Sequence, residues 1–389
     1  MSNYFEFNGQ VKVCCGENSL ANLAYELDFL NCKNPLLLSD EGLVACGTLD
    51  VFKKAVKPVE FKTEFTKIPA DSSTLTINQI ARLYRNNKCD GIVAVGGGSV
   101  IDTAKGVKLV LSQNCEDIIK LSGNEIVKKG TSVAFVVVPT TCGTGSEVTS
   151  VAVIKDVKTK TKLEFISSEL LPDCCFLDLK MTQNLPAKLL VSTAIDALTH
   201  SVEAYSSLQK NPISDVYALG AVKLIAGNLL DAVDGDSVAK SNLLLASNMA
   251  GLAFSNSMVG IVHAIGHALG AVLNVPHGVA MMMLIVPCLR FNKDVNHVEY
   301  SNLLLYLTNE DTFAYTKPNE RATAFIDKLE ELITKLQEKT GIKLKLTDYG
   351  ATEKELDLIC EKAMNDGASV TNNKIFTRED VMEILKEIY

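Results

Sequence analysis

Histidine is scarce in this 389-residue chain, with five in all, and three of them fall in one stretch, HAIGHALGAVLNVPHG, from His263 to Gly278. His263 and His267 are four residues apart, so on a helix they share a face. His277 follows Pro276 and reads as a helix-end or loop position. DALTHSVEAY repeats the spacing with Asp196 and His200. One carboxylate and several imidazoles form a donor set for a divalent transition metal. A lone histidine on an apolar helix is usually a core residue, but four of the five histidines in paired settings favour a metal centre. Spacing alone leaves open which three histidines bind.

A second chemical signal is GGGSVIDTAKG, which follows a strand pattern and opens a helix. Backbone N–H groups and the helix dipole can hold a pyrophosphate there. Gly97 and Gly98 allow close approach, and Ser99 can add a donor. The G-x-G-x-x-G fingerprint is incomplete: Gly96 and Gly98 fit, but Ile101 stands at the third position. Asp40 ends an earlier strand, where an acid can accept from a ribose hydroxyl or simply cap a helix. PTTCGTGSEVTS (139–150) is a polar loop at a strand end, and the hydroxyls of Thr140, Thr141, Thr144 and Thr149 can line a cofactor or satisfy the turn.

These residues need a scaffold. NPLLLSD (34–40), GIVAVGGGS (91–99) and SVAFVVVPTT (132–141) read as parallel strands buried on both faces, with helical patterns such as TLTINQIARLYRNN between them. This predicts a doubly wound, Rossmann-like α/β domain over residues 1–180. Beyond about 180 the periodicity is helical throughout, which predicts an all-α domain over 181–389. The longest apolar stretch singled out, VAMMMLIVPCL, is too short for a membrane span and contains Pro287.

A formal net charge of −8 gives no invitation to nucleic acid or anionic lipid. The 47% hydrophobic and 22% charged composition is that of a soluble globular protein. Eleven cysteines, an odd number without C-x-x-C, read as reduced thiols of a cytoplasmic protein. MSNYFEFNGQ shows no secretory signal.

The motifs GGGSVID, PTTCGTGSEVT, DALTHSVEAY and HAIGHALGAVLNVPHG, in this order and spacing, resemble the iron-containing (group III) alcohol dehydrogenases, including their lactaldehyde reductase, propanediol dehydrogenase and butanol dehydrogenase branches. The resemblance covers nearly the whole chain. It implies a dehydroquinate synthase-like architecture, with a dinucleotide-binding domain, a helical metal domain and the active site in the cleft between. It implies metal ligation by Asp196, His200, His263 and His277, with His267 beside the metal as a proton-transfer group. Lys162 joins the cofactor-binding candidates, and Val151 and Phe254 are implied to wall the substrate. Two departures bear on substrate identity. Asn372-Asn373-Lys374 replaces the Asn-Pro-Arg common in relatives, and Val151 stands where some relatives carry a polar residue.

The expectation is therefore an NAD(H)-dependent alcohol dehydrogenase, working as an aldehyde reductase on a small primary alcohol, a diol or the matching aldehyde. Fe2+ is the expected metal and Zn2+ the other candidate, a Lewis acid that stabilises the alkoxide while hydride passes to or from nicotinamide. Asp40, flanked by Ser39, Glu41 and Gly42 with no basic residue, predicts NADH over NADPH. The alternatives are a zinc polyol dehydrogenase of the glycerol dehydrogenase type, a reductase of a small anionic aldehyde, a dehydroquinate synthase-like enzyme and a non-catalytic scaffold. No basic cluster accompanies the metal motifs, which disfavours the synthase, and intact motifs disfavour the scaffold. A homodimer or larger homo-oligomer is implied by the resemblance.

Overall fold

The computed structural model describes residues 4–123, 127–159 and 161–389. Residues 1–3, 124–126 and 160 of the expected 1–180 domain lie outside them. The chain forms two compact units, Gly9–Leu185 and Pro186–Tyr389, the second including the N-terminal residues up to Asn8. These limits differ from 1–180 and 181–389 for local reasons. Asp178 caps a 3-10 turn, Leu179–Met181, that extends the first unit, and Pro186 opens the next helix. At the start of the chain, the Asn8 N–H donates to Asn256 Oδ1 at 2.6 Å and Asn256 Nδ2 donates back to the Asn8 carbonyl at 3.1 Å. That exchange ties the N-terminal segment to the helical unit.

The first unit is built on β1 (Lys12–Cys15), β2 (Pro35–Leu38), β3 (Thr63–Phe65), β4 (Gly91–Gly96), β5 (Ala134–Pro139), β6 (Val151–Asp156), β7 (Thr161–Ile166) and β8 (Cys174–Leu177). Six of them form one parallel sheet in the order β1-β8-β5-β4-β2-β3. Strands β2, β4, β5 and β8 are buried along their whole length, as helices on both faces require. The order reverses between β2 and β4: the chain runs outward from β2 to β3, then returns to the other side of β2. The C-terminal ends of β2 and β4 therefore border the crevice where doubly wound sheets take ligands. The Ser39 hydroxyl donates to the Val95 carbonyl at 2.9 Å and locks these two ends together. Separate from the sheet, β6 and β7 form an antiparallel hairpin.

In the second unit the central element is the helix Ala187–Ser206, buried on every side from Ala194 onward. A helix apolar all round belongs in a core, so the Asp196, His200 and Glu203 side chains inside this run need partners. Pro212–Val233, opened by an Asn211–Ser214 capping box, packs along Ser237–Phe254 and Ala187–Ser206. At 22 residues it is long and apolar enough to cross a bilayer by length and composition, which the shorter VAMMMLIVPCL is not. That shorter stretch lies within the helix His277–Asn292, with Pro287 inside it.

Candidate active site

The stretch from His263 to Gly278 folds as a helix, a stop and a second helix. Ile261–Leu273 ends at Asn274, whose φ of 54° is left-handed, a stop that asparagine tolerates. His277, expected at a helix end or in a loop, is the first residue of His277–Asn292. Two glycines let these helices close on their neighbours. A Cβ on Gly278 would stand 2.2 Å from the Ser192 carbonyl oxygen, and one on Gly266 would stand 1.9 Å from Met281 Cε. His263 and His277 thereby reach the helix carrying Asp196 and His200.

The donors converge on Asp196 Oδ1. His277 Nε2 lies 3.3 Å from it, His263 Nε2 3.7 Å and His200 Nδ1 3.9 Å. The ligand atoms of Asp196, His263 and His277 lie within 4.8 Å of one another. Four donors at about 2.1 Å from one tetrahedral metal sit about 3.4 Å apart, so the cluster has the size of a metal site. Asp196 Oδ1 and His263 Nε2 are buried and have no hydrogen-bond partner. Orphaned buried groups of opposite character, aimed at one point, are what a bound cation would satisfy.

The site's electrostatics follow from its burial. Desolvation alone would raise the Asp196 carboxyl, but His200 and His277, with His263, outweigh it and hold the group well below the usual carboxylate range. Desolvation alone would lower His263, but Asp196 and Glu203 on its two sides raise it to about 9. His277, the most exposed of the four, is lowered, because desolvation by the neighbouring groups outweighs the attraction of Asp196. To donate to a metal, each imidazole must give up the proton on its ligating nitrogen, which His277 does readily and His263 only in exchange for the cation.

Around this cluster, His200 is sandwiched between the Phe254 ring at 4.2 Å and the His263 ring at 4.5 Å, centroid to centroid. His267 stands next to it, its ring 5.5 Å from that of His277 and its Nδ1 3.0 Å from Asp366 Oδ2. Asp366 Oδ1 also accepts from the Ala368 N–H at 2.9 Å. Burial pushes the Asp366 carboxyl up, but the His267 contact and that N–H bring it below its ordinary value.

In the sheet unit, Gly97 is the N-cap of the helix Gly98–Ser112, directly after β4. A Cβ on Gly97 would lie 3.1 Å from Thr141 Cγ2, and one on Gly98 2.8 Å from Thr144 Cγ2. The threonine loop after β5 thus packs on the glycine turn. The Thr140 N–H donates to the Gly96 carbonyl at 3.1 Å, and Thr144 Oγ1 accepts from the Ser146 N–H at 3.2 Å. Lys105, wholly buried, donates to Ser146 Oγ, Thr149 Oγ1 and the Val151 carbonyl at 2.9, 2.8 and 2.7 Å. Asp40 lies just past β2, and its Oδ1 caps the next helix by accepting from the Leu43 N–H at 2.9 Å.

Comparison with known proteins fits this architecture. Residues 10–179 match the model of the iron-containing alcohol dehydrogenases, and residues 190–389 match that of the C-terminal part of the Fe-containing alcohol dehydrogenase family. The chain belongs to the iron-containing alcohol dehydrogenase family. It is 32% identical to the probable alcohol dehydrogenase EutG of Escherichia coli over 95% of this chain and 90% of that one. To the 1,3-propanediol dehydrogenase of Citrobacter freundii it is 31% identical over 96% of both. The crystal structure of a 1,3-propanediol oxidoreductase, 29% identical, superposes with a TM-score of 0.92 over 100% of both chains. Membership makes the protein an NAD-linked alcohol oxidoreductase of the iron type.

For an alcohol dehydrogenase of this family, two expected cofactor residues are engaged in ways the sequence did not suggest. The Ser99 hydroxyl donates to the Ala70 carbonyl, so it is tied to the chain before the helix Thr74–Asn86 rather than held out as a free donor. Lys162, on β7, pairs with Asp71 Oδ1 at 3.7 Å. Three residues are not singled out in the sequence: Lys105 beside the glycine turn of the sheet unit, and Glu203 and Asp366 beside the histidines of the helical unit. Glu203 lies in the quoted DALTHSVEAY, seven residues after Asp196 and so on the same helix stripe, a signal that was available. Lys105 ends the GGGSVIDTAK run. Asp366 carries no local signal.

Proposed function

We propose that this alcohol dehydrogenase holds a divalent metal on Asp196, His200, His263 and His277 and reduces short aldehydes to primary alcohols or diols with NADH. The observation that carries the metal assignment is the pair of orphaned buried atoms, Asp196 Oδ1 and His263 Nε2. Left without a cation, such groups forgo the partners that buried charges require. Ferrous iron is the metal of this reading, and three imidazoles with one carboxylate also accept zinc. Once bound, the ion supplies Lewis-acid polarisation of the substrate oxygen.

The chain's own residues do the rest. His267 carries the proton to the substrate oxygen, with Asp366 holding its Nδ1 so that Nε2 is the exchanging atom. Phe254, stacked on His200, offers the substrate an apolar wall. Gly97 and Gly98 let the pyrophosphate approach the helix N-terminus, where Ser99 offers its backbone N–H, its hydroxyl being taken by Ala70, with Thr140, Thr141, Thr144, Thr149 and Lys162 as further cofactor contacts. Asp40 favours NADH: its helix cap uses one carboxylate oxygen, and its charge repels a 2′-phosphate. The likeness to a 1,3-propanediol dehydrogenase supports short diols and aldehydes as substrates. None of the eleven cysteines is joined in a disulfide, in keeping with the cytoplasmic placement. A homo-oligomer belongs to the same reading, and light scattering coupled to size exclusion tests it. NADH oxidation assayed with C2–C4 aldehydes, with and without ferrous iron, tests the whole. Activity that depends on iron supports the reading, and a best substrate that is a polyol or a sugar phosphate contradicts it.

A further inference from the structure

Glu203 is a buried carboxylate that the redox reaction does not call for. Its two oxygens have different tasks. Oε2 lies 2.5 Å from His263 Nδ1, and Oε1 accepts from the Val262 N–H at 2.7 Å. The first contact fixes the ring of His263. The second holds the first turn of the helix that carries it, where the unpaired N–H groups of a helix start favour a negative charge. Gly260, just before that helix, has no room for a side chain: a Cβ would meet Asn372 Oδ1 at 2.8 Å and Glu203 Oε1 at 3.1 Å. Asn372 in turn exchanges amide hydrogen bonds with Asn292 at 2.8 and 3.1 Å and accepts from the Ile261 N–H at 3.3 Å. Glu203, Asn292 and Asn372 also line a small cavity with Tyr300. The Asn372-Asn373-Lys374 segment thus braces the helix start that Glu203 holds, and Lys374 Nζ fastens it by donating to the Phe291 carbonyl at 2.9 Å.

We infer that Glu203 is the positioning residue of the metal centre. It keeps a proton on His263 Nδ1 and so presents Nε2, which has no hydrogen-bond partner, as the donor atom. The Nε2–Asp196 Oδ1 separation of 3.7 Å is too long for a hydrogen bond, whereas the Nδ1–Glu203 contact is a short one. A carboxylate behind a ligating histidine fixes its tautomer and ring orientation and raises its basicity. Asp196, His200 and Glu203, at i, i+4 and i+7, would make one helix stripe supply two ligands and the support of a third. The inference rests on the metal assignment proposed above.

The experiment is metal binding by protein stripped with a chelator. Co2+ is titrated and followed by its visible absorption, and Zn2+ affinity is measured by competition with a chromophoric chelator. Wild-type protein tests the assignment itself: failure to bind one equivalent overturns that reading whatever Glu203 does. Given wild-type binding, Glu203→Ala is expected to weaken Zn2+ affinity about 10–100-fold. Glu203→Gln, which keeps the shape and one acceptor oxygen, is expected to fall in between and to shift the Co2+ absorption bands. Glu330→Gln, at an exposed ion pair with Arg290, is expected to leave the bands in place. If both Glu203 variants lower the melting temperature but bind metal with wild-type affinity and spectrum, Glu203 is only a helix-capping core residue and the inference is wrong. Where Glu203→Ala fails to fold, the Glu203→Gln spectrum and affinity decide.

Discussion

At the end of β4, Gly97 and Gly98 face Thr141 and Thr144 with no space for a methyl group between them. On the helix Ala187–Ser206, by contrast, Asp196, His200 and Glu203 put two carboxylates and an imidazole into a stripe buried on every side. The sheet unit frees backbone N–H groups by omitting side chains, which suits a phosphate that any amide can bind. The helical unit concentrates charge where water cannot reach it, which suits a cation that only specific donors can hold. The first arrangement relies on packing of small groups and should degrade gradually when altered. The second relies on mutually dependent charges and should fail abruptly.

The largest expected effect is therefore on the helical unit. His263→Ala or His277→Ala should remove most of the bound metal and lower turnover by about 10³-fold or more, with the circular dichroism of a folded protein. Metal analysis and steady-state rates check this, and full metal content in either variant breaks the contrast. Next, His267→Ala should keep its metal but lose about 10²–10⁴-fold in kcat. Asp366→Asn should show a smaller loss in the same direction. Loss of metal from the His267 variant would make that histidine a ligand instead.

On the sheet unit, Gly98→Ala brings a Cβ to 2.8 Å from Thr144 Cγ2, so the threonine loop must yield. The expected cost is a rise in KM for NADH of about 10-fold, with metal content unchanged. Thr144→Ser, which removes the opposing methyl, should recover much of it. Asp40→Gly should move the ratio of kcat/KM for NADH to that for NADPH toward NADPH. It should cost only a few tenths of a kcal/mol in stability, since glycine also serves at an N-cap. A ratio that does not move reduces Asp40 to the cap it forms with Leu43.

The smallest effect is a pH dependence confined to the metal-free protein. Flanked by Asp196 and Glu203, His263 is raised to about 9, above its ordinary value of about 6.5. The stability this adds is complete below about 6.5 and lost as pH rises through about 9. Thermal melts across that window should fall for stripped protein. They should stay flatter for zinc-loaded protein, in which Nε2 carries the metal instead of the proton.

What the sequence showed and what it hid divides by the range of each contact. The i, i+4 pairs Asp196–His200 and His263–His267 lie within single helices, so spacing reported them directly. The buried strands β2, β4 and β5 were equally legible as continuous apolar runs. Glu203 was in plain view, but its partner His263 is 60 positions away, and an acid on a helix reads equally well as a solvated face. Asp366 is 99 positions from His267 and stands in no recognisable motif. Ser99 read as a phosphate donor because the helix start is local, while the Ala70 carbonyl that takes its proton arrives from another segment. For Asp40, capping and ribose binding both followed from its place after β2, and the cap is the one visible in the fold.

The central claim is that Asp196, His200, His263 and His277 form one metal site, and the most direct test is iron K-edge absorption of stripped wild-type protein reloaded anaerobically with ferrous iron. One iron per chain, with three imidazoles and one carboxylate in its coordination shell, is the predicted result. Iron bound without imidazole, or no stoichiometric iron at all, would contradict it.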